Sequence, residues 1–339
     1  MKYNHVIFWN DWDLYKQSFS DLQDKSYARY ITSPGFCYKP ANSLIGGGKL
    51  RIHRELYRHP RVAKKVRDIL GWRWLEPEYW YSLHFQDDFV ERKDIVFVFD
   101  VTWLKAEYIN YPSYLKSKYP HAKFVLLCFD LWNRLGLDLS WVKATFDMVI
   151  SFDQGDCKKY DFKYHPLVFS QYNGELIDMP YYDVFFLGLP KNRLSKIISC
   201  LEKLWENNVT TDVQMVWVPE DEKVYKDRIT YVDTMIPYKT NLQHLIHANC
   251  ALELMQQGGV GYTQRMCEAI AFDKKIITNN ALIHEAPFYN PDYIFQIKNA
   301  DDITPELCER IKKVEPVDYH YKKQISPIEL LEFIEKHLG

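Results

Sequence analysis

Eight short apolar runs constrain this chain more than any other feature: HVIFW (5–9), IVFVFD (95–100), KFVLLCFD (123–130), DMVISFD (147–153), DVFFLG (183–188), VQMVWV (213–218), CALELM (250–255) and KIITN (275–279). Several are apolar at nearly every position. A strand buried on both faces reads this way, and such strands belong to parallel sheets. Helix-patterned stretches such as SKIISCLEKLWENN (195–208) and LQHLIHA (242–248) lie between them. Strand alternating with helix means βαβ units and doubly wound α/β sheets.

A length of 339 residues is too great for one ordinary core and comfortable for two. Four of the runs precede residue 155 and four follow 180, with HPLVFSQYNGELIDMP (165–180) as a Pro- and Gly-bearing linker. The expected division is a Rossmann-like domain over 1–170, a second over 180–322, and a C-terminal helix in 323–339 that packs back on the first. SPIELLEFIEKHLG (326–339) carries a Ser-Pro helix start and amphipathic spacing.

Composition narrows the function classes. Hydrophobic content of 47% with 26% charged residues is globular rather than disordered. A net charge of −2 argues against nucleic acid as a partner. The 7 cysteines show neither C-x-x-C nor metal spacing, which reads as reduced thiols and a cytoplasmic setting. The start, MKYNHVIFWND, lacks a signal-peptide pattern, and no stretch reaches 18 apolar residues. One basic segment, 49–75, holds nine Lys and Arg against two acidic residues, interleaved with Tyr57, Trp72 and Trp74. It reads as an ordinary solvated helix face or as a peripheral contact with an anionic membrane surface.

The stretch LMQQGGVGYTQRMCEAIAFDKKIITNN (254–280) carries the densest chemistry. Gly258, Gly259 and Gly261 permit tight turns and close approach of a ligand. A helix beginning near Tyr262 or Thr263 would aim its free N–H groups at that loop, where a phosphate binds well. Thr263 adds a hydroxyl, Arg265 a charged fork, and Glu268 a carboxylate suited to a ribose diol. The plainer alternative is a glycine turn into a structural helix, with Arg265 and Glu268 as a surface pair. A second loop follows DVFFLG, where Gly188 leads to Lys191, Asn192 and Arg193 at the carboxyl end of a strand.

CALELMQQGGVGYTQRMCEAIAFDKKIITNN (250–280) resembles the donor-site region of GT-B glycosyltransferases. More closely, it is similar to a bacterial family assigned to lipopolysaccharide and capsular polysaccharide biosynthesis. The matching residues are Gln256, Gly258, Gly261, Thr263, Arg265, Glu268-Ala269 and Lys274 to Asn279. FDMVISFDQGDCKKYDFKYHPLVF (146–169), KYPHAKFVLLCFDLW (118–132) and IPYKTNLQHLIHANC (236–250) fit the same family, so the likeness spans roughly residues 90–290.

The resemblance implies two Rossmann-like domains facing a cleft and transfer of a sugar from a nucleotide-diphosphate donor, a UDP-sugar being favoured. It implies diphosphate contacts from Gly259, Thr263, Gln264 and Arg265, ribose binding by Glu268, and a base held by the Met235–Tyr238 segment. Gly188, Lys191 and Arg193 would face the phosphates across the cleft. It also implies a glycan or lipid-linked glycan acceptor at the inner face of the membrane. One departure stands out: the Glu-x7-Glu of many retaining enzymes is broken, because Val260 lies eight residues before Glu268 and Glu253 is too far upstream. That favours inversion, which needs a base from the first domain. The candidates are Asp13 first, then Asp100, with Asp11 and Asp130 behind them. Asp11-Trp12-Asp13 is the one Asp-x-Asp considered and lies far from the donor motif, so the expected reaction uses no cation. Arg265, with Lys191 or Arg193, would stabilise the leaving diphosphate. Two other readings share this architecture: a nucleotide-sugar isomerase or epimerase, and a non-catalytic partner of another transferase.

Overall fold

A computed structural model describes residues 1–9, 12–31, 94–104, 111–172, 174–255 and 261–339. The basic segment 49–75, Asp11, Gly258 and Gly259 lie outside the described residues. The first half runs β1 (Asn4–Phe8), α1 (Asp13–Ser18), β2 (Ala28–Ile31), β3 (Ile95–Asp100), α2 (Tyr111–Lys118), β4 (Lys123–Cys128), α3 (Leu139–Thr145), β5 (Met148–Ser151), α4 (Gln154–Tyr160) and β6 (Lys163–Tyr164). The second runs β7 (Tyr182–Gly188), α5 (Leu194–Glu206), β8 (Thr211–Val216), β9 (Thr230–Val232), α6 (Tyr238–Ile246), β10 (Ala248–Glu253), α7 (Gln264–Ala271), β11 (Lys275–Thr278), β12 (Ile294–Gln296), α8 (Pro305–Lys312) and α9 (Pro327–Leu338).

Each half builds one parallel sheet of six strands. Their orders are β2-β1-β3-β4-β5-β6 and β12-β11-β10-β7-β8-β9. The inner strands are the near-continuous apolar runs, and β1 and β3 are buried at every position. Helices cover both faces, so the strands have no wet side and no need to alternate. The eight runs read from sequence correspond to β1, β3, β4, β5, β7, β8, β10 and β11. The other four strands are the four sheet edges, β2, β6, β9 and β12, each only two to four residues long.

Helix α9 begins as its sequence dictates, with the Ser326 hydroxyl accepting from Ile328 N at 3.2 Å and Pro327 in the first turn. It then packs on the first sheet, not the second. Leu330, Leu331 and Ile334 join Ile7, Val96, Val98, Val125 and Leu127 in one core. Glu335 accepts the backbone N–H groups of Lys2 at 2.8 Å and Tyr3 at 3.0 Å, tying the two ends of the chain together. In the segment that joins the halves, Ser170 Oγ donates to Ser18 O at 2.9 Å and Phe169 N to Ile325 O at 2.7 Å. Among the described residues no helix is long and apolar enough to cross a membrane. Six described cysteines are free, five of them buried.

Candidate functional site

The strand orders locate the site. In the second sheet the winding reverses between β7 and β10, which pair directly. In the first it reverses between β1 and β3. At such a reversal the flanking loops part in opposite directions and leave a crevice beyond the carboxyl ends of the strands. A cavity of about 400 Å³ opens there, lined from the first half by Leu14, Tyr15, Phe129, Asp130 and Arg134, and from the second by Gly188, Arg193, Glu253, Thr263, Arg265 and Glu268.

On the second-sheet wall, Thr263 is the N-cap of α7: its backbone is extended and its Oγ accepts from Met266 N at 3.4 Å. Met266, Cys267, Ala269 and Ile270 bury the inner face of α7, so burial and cap together fix where the helix starts. Thr263, Gln264 and Arg265 line the cavity, and the first N–H groups of a helix have no partner within it. The Thr263 hydroxyl donates to Glu253 Oε1, and the Thr278 hydroxyl donates to Glu253 Oε2. Glu253 ends β10 and is 5% exposed. Burial pushes its carboxyl above the usual range, while the two hydroxyls and the charges of Arg265 and Arg193 pull it back down.

Arg193 bridges the reversal point. Its guanidinium donates to Leu254 O just beyond β10, to Leu189 O at 2.8 Å just beyond β7, and through Nε to Pro190 O at 3.3 Å. Arg265 is held the same way, with Nη2 donating to Leu187 O at 3.2 Å and Asn241 Oδ1 at 3.1 Å. Its guanidinium stacks over Phe185, 4.9 Å from the ring centre. Its Nη1 lies 2.6 Å from Glu268 Oε2, in ionic contact without in-line hydrogen-bond alignment. Glu268 Oε1 accepts from the Tyr238 hydroxyl. Burial raises the Glu268 carboxyl and Arg265 opposes that shift. Burial and the neighbouring Glu268 carboxylate raise the Tyr238 phenol well above its ordinary value.

The halves meet closely at Gly261. A Cβ there would stand 2.8 Å from the Phe152 ring and 3.0 Å from Phe152 O, so the glycine is required by approach rather than by backbone angle. On the first-sheet wall, Asp130 follows β4. Its Oδ1 accepts from Leu131 N at 2.8 Å and lies 3.8 Å from Arg134 Nη1.

The sequence-predicted residues divide accordingly. Gly188, Arg193, Thr263, Gln264, Arg265 and Glu268 line one wall of the cavity. Tyr238 sits behind that wall, its hydroxyl on Glu268. Gly259 lies outside the described residues. Lys191 is exposed and does not line the cavity, and its φ of 48° turns the chain there. The two preferred base candidates are also elsewhere. Asp13 is exposed on the first turn of α1, paired with Lys16 at 3.6 Å. Asp100 is buried behind Tyr15, accepting from Thr102 N at 2.8 Å and Tyr15 OH at 3.4 Å, and burial raises its carboxyl to about 6. Asp130, ranked behind them, is the base candidate among the described residues that lines the cavity. The surface-pair alternative for Arg265 and Glu268 is corrected by their side-chain exposures of 14% and 3%. Glu253 and Asn241 are the residues the sequence reading passed over. Glu253 had a signal, an acid closing an otherwise apolar strand, whereas Asn241 had none.

Neither a protein-family model nor a curated protein matches the sequence. Solved structures do. The chain is similar to an alpha-glucosyltransferase in complex with UDP and a 13-mer DNA containing a HMU base, with a TM-score of 0.53, 11% identity and 98% of each chain covered. It is also similar to an alpha-glucosyltransferase in complex with UDP-glucose and DNA containing an abasic site, at 0.50, 10% and 98% of each chain. The likeness is one of fold. That fold is GT-B. Two parallel sheets with their carboxyl ends turned to a shared cavity are the GT-B arrangement, and both winding reversals of this chain open on it.

Proposed function

We propose that this chain is a glycosyltransferase that binds a UDP-sugar on the second-sheet wall and passes the sugar to a hydroxyl held against the first sheet. The observation that carries the reading is the pairing of two arginines and a capped helix N-terminus on one wall with Asp130 on the other. A diphosphate is a dianion or more, and Arg193, Arg265 and the N–H groups of α7 are fixed donors before it arrives. Such donors supply the leaving-group stabilisation that a cation supplies elsewhere, so the transfer is proposed to be metal-independent. Asp130 is proposed as the base that takes the acceptor proton, which makes the transfer inverting.

In this reading residues 1–170 hold the acceptor, 180–322 hold the donor, and the helix within 323–339 braces the first against the second. Thr263 contacts the diphosphate through its backbone N–H, because its hydroxyl proton is committed to Glu253. The resemblance of 250–280 to lipopolysaccharide and capsule enzymes supports a cell-surface glycan as acceptor, met at the inner membrane face. The net charge of −2 weighs against DNA as the acceptor. The test is turnover of UDP-glucose, UDP-galactose and UDP-N-acetylglucosamine with short glycan acceptors, in chelator and then in magnesium. Sugar transfer in chelator supports the reading. A requirement for magnesium removes the metal-independent mechanism. Conversion of the nucleotide sugar without acceptor points to the isomerase class instead.

A further inference from the structure

The buried carboxylate of Glu253 joins three pieces of chain that sequence places far apart. Oε1 takes the hydroxyl proton of Thr263 at the cap of α7, and Oε2 takes that of Thr278 at the end of β11. Thr278 Oγ in turn accepts Asn280 N at 3.1 Å, and Asn280 Nδ2 donates to Gly261 O at 3.3 Å, which closes a ring back to the loop before α7. Next to this ring, Asn279 Oδ1 accepts Met255 N at 2.6 Å. Each link has at least one side-chain partner, and Glu253, Thr278 and Asn280 are buried, so Met255, Gly261 and Thr263 are all tied to the ends of β10 and β11.

We propose that Glu253 is a positioning residue of this site: it grips Thr263 and Thr278 together and so sets the position from which the N–H groups of α7 meet the donor's diphosphate. This rests on the UDP-sugar reading above. The carboxylate need not touch the ligand. It acts through Thr263, whose acceptor lone pair stays on Met266 N while its proton is held by Glu253. The consequence is coupling: once the Thr263 hydroxyl is gone, Glu253 loses its direct hold on the cap of α7 and keeps only the route through Thr278, Asn280 and Gly261.

The experiment is calorimetric titration of the whole chain with UDP, well below each variant's melting temperature. Glu253→Ala and Thr263→Val are each expected to weaken UDP about tenfold, the scale of one lost buried hydrogen bond. The double variant is expected to lose clearly less than the two single losses combined. Glu253→Gln, which keeps an acceptor for Thr263 and offers its amide to Thr278, is expected to stay within about threefold of the parent. Glu253→Met, which fills the space without accepting, replaces Glu253→Ala if that variant fails to fold. Additive losses, or a lower melting temperature with UDP affinity unchanged, overturn the positioning role while leaving the donor site intact. A parent chain that binds no UDP overturns both.

Discussion

Arg265 Nη1 stands 2.6 Å from Glu268 Oε2, three residues along α7, with Glu268 buried and Arg265 partly buried at the cavity. Removing Glu268 takes from Arg265 its ionic partner and from the Tyr238 hydroxyl its acceptor, while Arg265 keeps Leu187 O and Asn241 Oδ1. Glu268→Ala is therefore expected to cost about 1–3 kcal/mol of stability, the scale of a buried hydroxyl left without its acceptor, measured by urea denaturation. Glu268→Gln, which keeps an acceptor for Tyr238, is expected to cost less, and it is the variant on which to measure ligand binding. If Glu268 contacts the ribose, the parent will prefer UDP over 2′-deoxy-UDP and Glu268→Gln will lose that preference.

Asp130 and Asp13 separate cleanly. Asp130→Asn is expected to lower kcat by about 10²–10⁴ while UDP affinity stays within about twofold, because the proton acceptor is lost and the donor wall is untouched. Asp13→Asn, on an exposed turn outside the cavity lining, is expected to leave both unchanged. Equal losses in the two variants would remove the assignment to Asp130.

Gly261→Ala pushes a methyl group into the Phe152 ring, which lies 2.8 Å from where that carbon would sit. Overpacking of this kind is expected to cost about 1–3 kcal/mol. Phe152→Ala in the same chain should recover part of the loss but not all, since Phe152 O at 3.0 Å remains. A full recovery would place the strain in the ring alone.

Two buried groups titrate in the same pH window with opposite signs. Burial holds the His165 imidazole down at about 4 from 6.5, with its Nδ1 bonded to Pro166 O at 2.7 Å and its ring against Phe333 of α9. Between those values the unfolded chain binds the extra proton, so this contribution is complete above the unfolded value and is lost as pH falls toward 4. Asp100 is raised from 3.8 to about 6, so the folded chain holds the extra proton there and stability falls as pH rises through that window. Each is an effect of about 3 kcal/mol at 1.36 kcal/mol per unit. Asp100→Asn should thus stabilise the chain at pH 7 but not at pH 3.5. His165→Gln should remove the acid-side loss of stability, which would otherwise loosen α9 first. Denaturation curves from pH 3.5 to 7 on both variants check the two signs.

The inner strands were legible because burial on both faces writes an unbroken apolar run. The four edges were not, since β2, β6, β9 and β12 are short and are placed by their neighbours rather than by their own composition. The start of α7 at Thr263 was readable from residue types alone. The placement of the base candidates was not: Asp13, Asp100 and Asp130 all follow or flank strand ends, and nothing local distinguishes the one that lines the cavity.

Sequence by itself determined the two parallel sheets, the glycine-bearing entry to α7 and the Ser-Pro start of α9, because these depend on local propensity and on apolar runs a few residues long. Tertiary structure decided the rest. It buried Glu268 beside Arg265, made Glu253 the anchor of Thr263 and Thr278, and set Asp130 rather than Asp13 on the cavity wall opposite Arg193 and Arg265. The last two join residues from separate elements, and only the burial of both sheets' faces fixes which of these meet.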